Sequence, residues 1–88
     1  MKHRYLEVTF RKGKPLAAYL YLPRPAGAKA VRTTDAGKGL RVDFDAQGAP
    51  IGVEITAPGR VTISQLNDLL VPLGVARLEP EEWSPLAA

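Results

Sequence analysis

The stretch GLRVDFDAQGAPIGVEIT, residues 39–56, decides the fold of this chain. Apolar and polar residues alternate on both sides of Gln47-Gly48, and the glycine of that pair suits a tight turn. This is the pattern of two antiparallel strands that share one buried face. The sequence therefore predicts a β-hairpin over 39–56, and the remaining elements can be arranged around it.

Loop length sets the register of this hairpin. A two-residue loop at the centre of the stretch sets Arg41 against Glu54 on the solvent side and is favoured. A four-residue loop over 45–48 keeps the apolar pairs but loses that ion pair, and a three-residue loop is disfavoured because it puts Ile51 on the face of Asp43. The favoured apolar pairs are Phe44 with Ile51, Val42 with Val53 and Leu40 with Ile55.

A second hairpin is predicted over 5–22, where apolar residues again alternate with polar ones. Its loop is predicted at 11–15, because Gly13 tolerates a positive φ and Pro15 has no amide proton for a strand ladder. The predicted pairs are Phe10 with Leu16, Val8 with Ala18 and Leu6 with Leu20. The same register leaves three tyrosines together on the face away from the core, namely Tyr5, Tyr19 and Tyr21.

A short strand and a helix complete the predicted fold. Residues 29–34 alternate weakly and carry two cations that suit an edge strand. Thr62 and Gln65 form a capping-box pattern that begins a helix over about 62–72, with Gly74 just past its end. Apolar residues at helical spacing point to the sheet, and the residues predicted to face solvent are Ser64, Gln65, Asn67 and Asp68. The fold class is therefore α+β, a mostly antiparallel sheet of about five strands covered on one face by this C-terminal helix.

Chain length and composition limit the class of protein. The 88 residues predict one domain over 1–88, with a loose N-terminus over 1–4 and an acidic tail over 75–88. The chain has no cysteine, which excludes disulfides and thiolate metal ligands. No apolar run reaches the length of a signal-peptide core or a membrane span. We therefore expect a cytoplasmic protein that has no membrane partner.

Charge is distributed unevenly along the chain. Residues 1–42 carry ten Lys or Arg against two acidic residues, whereas residues 43–88 carry two against seven. This polarity is compatible with a nucleic-acid surface, with a self-complementary contact between copies, or with two halves folded onto each other. The last interpretation is favoured because the strands of one small domain interleave.

The nucleic-acid interpretation rests on basic residues near the tyrosines of the first hairpin. Cations interleaved with aromatic rings are typical of surfaces that bind single-stranded nucleic acid. The residues concerned are Lys2, Arg4, Arg11, Lys12 and Lys14. No sequence signature of a nucleic-acid-binding family accompanies them, so this interpretation is the alternative.

Trp83 is the only tryptophan of the chain and lies in its acidic tail. The surrounding run 79–82 is predicted to resist regular structure, but a tryptophan usually packs against something. The favoured interpretation is that Trp83 holds the tail on its own domain. The other is that the tail reaches a partner or a second copy, and Trp83 therefore joins the tyrosines as a candidate interaction residue.

Candidate catalytic and metal-binding groups are few. Asp43, Asp45 and Glu54 share the outer face of the central hairpin, but their spacing is not that of a calcium loop and Arg41 supplies a counter-charge. A solvated face is therefore favoured over a metal site. His3 is the only histidine and lies in the N-terminal segment, with no serine obviously placed beside it. We predict no enzyme activity, no cofactor and no metal.

Four segments carry a resemblance to a known family. They are PLAAYLYL at 15–22, the strand at 29–34, VDFDAQG at 42–48 and IGVEI at 51–55. Over roughly residues 5–56 the chain resembles the small bacterial domains called domain of unknown function 2283. The resemblance implies a compact sheet-based fold in the bacterial cytosol, with no established activity and no known catalytic residues. It also implies, by association with small toxin-like genes, an antitoxin-like or partner-binding role.

These observations favour a non-catalytic protein-interaction module. One helix covers only one side of the sheet, which leaves the tyrosines for another chain. That chain is expected to be a second copy, in a homodimer or larger homo-oligomer, or a small protein partner, bound by sheet packing or strand addition. The alternative is a nucleic-acid-binding domain that uses the basic N-terminal half.

Overall fold

The computed structural model describes residues 3–86. Its strands are β1 (Tyr5–Arg11), β2 (Lys14–Tyr21), β3 (Arg32–Gly37), β4 (Leu40–Phe44) and β5 (Pro50–Ile55). Its helices are α1 (Ile63–Leu70), continued by the 3₁₀ turn Val71–Leu73, and α2 (Pro80–Trp83), continued by Ser84–Leu86; another 3₁₀ turn is Pro58–Arg60. Neighbouring strands are antiparallel in the order β1-β2-β5-β4-β3. The predicted α+β fold is confirmed.

The central hairpin has the predicted register over most of its length. Val42 lies opposite Val53, and Arg41 lies opposite Glu54. The Arg41 Nη1 atom is 3.9 Å from Glu54 Oε1 on the solvent side. The side chains on one face of this hairpin therefore form one side of the hydrophobic core.

The predicted pair of Phe44 with Ile51 is wrong. Phe44 lies opposite Pro50, and the Asp45 amide donates to the Ala49 carbonyl at 2.9 Å, which closes a three-residue loop. Without compensation that loop would turn Ile51 away from the core. A β-bulge beside Phe44 leaves Ile51 without a cross-strand partner and restores the register further along the strands.

The predicted loop of the first hairpin over 11–15 is also wrong. The turn consists of Lys12-Gly13 alone, with φ of 52° and 78°. Two left-handed positions match the twist of the flanking strands, so pairing continues up to the turn. Phe10 consequently lies opposite Pro15 instead of Leu16. A bulge then restores the other predicted pairs, Val8 with Ala18 and Leu6 with Leu20.

The edge strand β3 covers Arg32–Gly37 instead of the predicted 29–34. The turn to β4 is made at Lys38-Gly39, with φ of 56° and 77°, so that pairing extends to Gly37. The predicted strand ends too early because Asp35 and two glycines are typical of a longer loop. The Arg32 guanidinium carbon lies 4.4 Å from the centroid of a phenylalanine ring on β4.

Helix α1 begins as predicted, and its predicted end at about 72 falls within the 3₁₀ turn Val71–Leu73 that continues it. The Gln65 amide donates to Thr62 Oγ1 at 3.1 Å, and the Thr62 amide donates to Gln65 Oε1 at 2.9 Å, which confirms the capping box. Gly74 follows the 3₁₀ turn with φ of 78°. The leucines of α1 pack on the inner face of the sheet, and the largest fully buried side chains are Leu20, Leu22, Ile51, Val53, Ile55, Leu66 and Leu70.

The predicted solvent position of Asn67 is wrong, because this residue is only 4% exposed. The Leu78 amide donates to Asn67 Oδ1 at 2.7 Å, and Asn67 Nδ2 donates to the Leu78 carbonyl at 3.4 Å. Buried main-chain groups need such partners. Asn67 therefore joins the returning C-terminal segment to α1.

Residues 75–86 fold back onto the domain. Trp83 is half-buried and packs against the core formed by the sheet and α1. The predicted lack of regular structure over 79–82 is wrong, since Glu79 caps α2 with a capping box. Pro80 occupies the first helical position, where a missing amide proton costs little.

Arg4 connects the start of β1 to this C-terminal segment. Its Nε donates to Glu82 Oε2 at 2.8 Å and its Nη2 to Glu82 Oε1 at 2.9 Å, which is a bidentate ion pair. It also donates to the carbonyls of Ala76 and Arg77, the latter at 2.7 Å. The hydrogen bonds from Arg4 hold the pKa of the Glu82 carboxyl below its usual range.

Candidate interaction surface

The outer side of the sheet faces solvent at both edge strands, and its centre is partly buried under its own side chains. Two rows of side chains cross it, and both follow from the strand register. The first row is Tyr5, Tyr21, Gly52, Asp43 and Thr33, and the second is Glu7, Tyr19, Glu54, Arg41 and Asp35. We call these ten residues the tyrosine face. Its residues on the two edge strands are exposed, so the helices that cover the inner side leave this side uncovered.

The structure brings the three predicted tyrosines together. The rings of Tyr5 and Tyr21 are stacked, with centroids 4.6 Å apart and an interplanar angle of 15°. Tyr19 meets Tyr21 edge-on, at 4.7 Å and 64°. Tyr5 remains 50% exposed. Such ring pairs contribute about 0.5–1.5 kcal/mol each beyond simple burial, so the cluster is a defined surface and not three separate side chains.

Tyr19 lies over Gly52, which has no side chain. A Cβ atom built on Gly52 would be 1.9 Å from the Tyr19 hydroxyl oxygen and 2.3 Å from its Cζ. The Tyr19 hydroxyl donates to Asp43 Oδ2 at 2.6 Å, and Thr33 Oγ1 donates to Asp43 Oδ1 at 2.5 Å. Glycine at this position therefore allows an aromatic ring to cross from β2 to β4 and cover the strand between them.

Carboxylates and arginines surround the tyrosine cluster. The Tyr21 hydroxyl donates to Glu7 Oε1 at 3.5 Å, and the negative charge of Glu7 raises the pKa of Tyr21. The Arg24 guanidinium carbon lies 5.3 Å from the centroid of the Tyr21 ring. Arg41 and Glu54 form the exposed ion pair of the neighbouring strands. The tyrosine face thus presents aromatic rings among charges of both signs.

Tyr19 is expected to lose its hydroxyl proton later than an ordinary tyrosine. Burial and the hydrogen bond to Asp43 raise its pKa from the usual 10.0 to about 12. The folded chain therefore holds this proton more tightly than the unfolded chain does. The resulting stabilisation is complete below pH 10 and declines as the pH rises towards 12.

Alkaline titration of tyrosinate absorbance measures this prediction. Because Glu7 also raises the pKa of Tyr21, the informative late step is the last one, near pH 12: wild-type protein should show it, and Tyr19→Phe should lack it while the other tyrosines titrate as before. The stability difference between wild type and Tyr19→Phe should also shrink across the same pH range. A late step that persists in Tyr19→Phe would assign the raised pKa to another residue.

Trp83 does not join the tyrosines. It packs against the core on the inner side of the sheet, whereas the tyrosines occupy the outer side. Its side chain therefore holds the C-terminal segment on its own domain, as the favoured interpretation expected. Sequence reasoning missed Gly52 and Asp43, which position Tyr19; the only signal was a glycine between two apolar strand residues.

The basic residues of the nucleic-acid interpretation are separated in space. Lys2 lies outside the described residues. Arg4 forms an ion pair with Glu82 and donates to two main-chain carbonyls. The others, Arg11, Lys12 and Lys14, are exposed at the turn between β1 and β2. The nearest tyrosine on β2, Tyr19, lies five residues from Lys14, which is about 17 Å along a strand. The three cations of this turn are therefore not interleaved with the tyrosines.

Two of the three carboxylates considered as metal ligands already accept hydrogen bonds from other groups of the protein. Asp43 accepts from Tyr19 and Thr33, and Asp45 Oδ1 accepts from the amides of Gln47 and Ala49, each at 2.9 Å. Within residues 3–86, no three histidine, aspartate or glutamate side chains lie close enough together to hold a metal ion. Asp45 therefore stabilises the turn of the central hairpin.

None of the helices within the described part of the chain is long and apolar enough to cross a membrane. Comparisons of the chain with protein-family models, with curated proteins and with solved structures give no match. The tyrosine face is therefore interpreted from its own geometry.

Proposed function

We propose that this protein is a non-catalytic protein-interaction module whose tyrosine face packs against the same face of a second copy. The observation that carries the proposal is a cluster of three rings, with Tyr21 stacked on Tyr5 and edge-on to Tyr19, on a side of the sheet that the described helices leave uncovered. Aromatic clusters of this kind are enriched in contacts between proteins.

Hydrogen bonds within the chain lower the cost of burying the tyrosine hydroxyls. Two of their hydroxyls donate to Asp43 and Glu7 of the same chain. A docking chain can therefore cover the rings without leaving those hydroxyls unpaired, which removes a cost of 1–3 kcal/mol for each buried group, to order of magnitude. The rings themselves supply apolar area at low cost in side-chain entropy.

Charges of both signs on the tyrosine face allow a second copy as the occupant. The face carries four carboxylates, Glu7, Asp35, Asp43 and Glu54, against Arg41, and Arg24 lies beside it over the Tyr21 ring. In a two-fold contact each residue meets a different residue of the partner, and opposite charges can then oppose each other. Two sheets packed in this way lie about 10 Å apart.

Interface size sets the expected strength of this contact. Five strands at about 4.8 Å spacing and strands of about six residues make a face of roughly 20 by 20 Å. Such a footprint belongs to the small end of specific interfaces. We therefore expect concentration-dependent self-association in the micromolar range. The resemblance to domain of unknown function 2283 adds a bacterial, cytosolic setting and an antitoxin-like role to the proposal.

The experiment is sedimentation equilibrium of wild type and the double variant Tyr5→Ser/Tyr21→Ser. Tyr19 is kept because its ring covers Gly52 and its hydroxyl donates to Asp43, so that its loss would also affect the fold. Two tyrosines at about 1–2 kcal/mol each amount to about 2–4 kcal/mol, and a two-fold contact loses them from both copies, so the dimer should be weakened by at least about thirtyfold to a thousandfold. Thermal unfolding should change much less, because both rings are solvent-facing in the monomer.

Phe10→Ser is the matched control. Phe10 is 50% exposed, as Tyr5 is, but lies near the β1–β2 turn and outside the tyrosine face. Its replacement should leave the dimer constant unchanged. A wild-type protein that stays monomeric at millimolar concentration would overturn self-association, and equal weakening by Phe10→Ser would place the contact elsewhere.

A further inference from the structure

A second surface lies at one end of the sheet, separate from the tyrosine face. The β1–β2 turn and the β3–β4 turn are at the same end, because Ala18 and Leu40 both lie opposite Ile55 at the end of β5. The 3₁₀ turn Pro58–Arg60 follows β5 directly and contacts β2 at this end. Segments that are distant in the sequence therefore meet along one rim.

This rim carries five cations, all of them exposed: Arg11, Lys12, Lys14, Lys38 and Arg60. Within residues 3–86 none of them forms a salt bridge, and the ion pairs of Arg4 with Glu82 and of Arg41 with Glu54 involve other residues. Two carboxylates also lie at this end of the sheet. Asp35 accepts from the Gly37 amide at 2.7 Å, and Asp68 lines a hollow beside Lys38. The rim therefore keeps a net positive charge.

Apolar side chains accompany the charge at the β1–β2 turn. Phe10 and Leu16 are each 50% exposed, because pairing of β2 with β5 stops at Ala18 and the hairpin extends beyond the rest of the sheet. An exposed aromatic ring beside unpaired cations is the combination that binds nucleic-acid bases and phosphates together.

We propose that this rim binds the phosphate backbone of single-stranded nucleic acid, with Phe10 stacking on an unpaired base. The two turns are separated by about three strand spacings across the sheet, or about 14 Å, and by about four residues along the strands, or about 13 Å, because the first hairpin extends further. The resulting separation of about 20 Å is the length of about six stacked nucleotides at about 3.4 Å each. Single strands are favoured over duplex because the Phe10 ring needs an unpaired base. The tyrosine face takes no part in this binding.

The first experiment measures fluorescence anisotropy of a labelled oligothymidylate with full-length protein at several salt concentrations. Lys12→Asn/Lys38→Asn is the test variant, because both lysines occupy left-handed turn positions before glycine, where asparagine preserves the backbone. Losing two phosphate contacts should lower the salt slope by about 1.4. Across the range from about 1 M to about 50 mM salt, this amounts to about 60-fold weaker binding.

Lys29→Gln/Arg77→Gln is the matched control, because it removes the same charge from exposed residues outside the rim. Its lower net charge should weaken binding only slightly. We therefore expect its affinity for the oligonucleotide to be within about twofold of that of wild type. Phe10→Leu should weaken binding by about tenfold at all salt concentrations, and Phe10→Tyr should retain it, since stacking needs an aromatic ring.

Three outcomes would overturn the proposal. One is the absence of binding by wild type at about 50 mM salt, where phosphate contacts are strongest. Another is equal weakening by both double variants, which would make the attraction a property of net charge alone. The third is binding to vesicles containing phosphatidylglycerol without binding to the oligonucleotide. Sedimentation of Lys12→Asn/Lys38→Asn separately tests the tyrosine face, whose dimer this variant should leave intact.

Discussion

Gly52→Ala is expected to lower the free energy of unfolding by about 2–3 kcal/mol, which is large for an exchange that adds one methyl group. The new Cβ would occupy the position of the Tyr19 hydroxyl, at a separation of 1.9 Å. Tyr19 would have to rotate away, losing its hydrogen bond to Asp43 and its edge contact with Tyr21. For a domain of this size the midpoint of thermal unfolding should fall by roughly 10–15 °C.

A double-mutant cycle with Tyr19→Ala identifies the cause. When the ring is absent, alanine at position 52 has space, and it should be neutral or stabilising by about 0.5–1 kcal/mol because glycine is unfavourable in strands. The coupling between Gly52 and Tyr19 should therefore be about 2–4 kcal/mol. An equal cost of Gly52→Ala in both backgrounds would show that the ring is not the obstacle.

Gly59→Ala is the control for the general effect of removing a glycine. Gly59 has no heavy atom within 4 Å of an added Cβ, and its φ is not in the left-handed region. We expect a change within about 0.5 kcal/mol. The contrast between the two glycines isolates the close approach of Tyr19.

Asn67→Ala is expected to lower the free energy of unfolding by about 3 kcal/mol. Its side chain bonds both main-chain groups of Leu78, so its removal leaves a buried amide and a buried carbonyl without partners. The chain can recover those partners only by exposing the segment to water. We therefore expect thermal destabilisation together with faster hydrogen exchange at the Leu78 amide.

Asp68→Ala provides the comparison for Asn67→Ala. Asp68 is the next residue of α1 and is exposed, so its replacement should change stability by less than about 0.5 kcal/mol. Exchange at Leu78 should remain slow in that variant. If Asn67→Ala were equally mild, the buried hydrogen bonds would contribute no net stability to the C-terminal segment.

Local sequence patterns predicted the features that neighbouring residues control. Alternation in 39–56 predicted which side chains of the central hairpin face the core, and Thr62 with Gln65 predicted the start of α1. The pairing of Arg41 with Glu54 followed from the same register. The clustering of the tyrosines followed from the alternation in 5–22. In each case the residues are close in sequence, so the period of a strand or helix is sufficient.

Loop details were less predictable, because a one-residue bulge changes a turn without changing the faces of its strands. Both hairpins contain such a bulge, which is why Phe44 and Phe10 have different partners from those predicted. The position of β3 depended on Lys38 adopting a left-handed conformation that lysine rarely takes. Propensity alone favours a longer loop at both turns.

The sequence by itself determined the alternating faces, the capped helix and hence the α+β class of this protein. Only the tertiary structure decided that β2 lies beside β5, which places Tyr19 over Gly52, and that Leu78 returns to Asn67. It also placed Arg4 against Glu82 and gathered Lys12, Lys38 and Arg60 on one rim. These relations join residues that are far apart in the chain, and they depend on the order of strands in the sheet. Side-chain periodicity carries no information about that order, because it reports only the local direction of each residue.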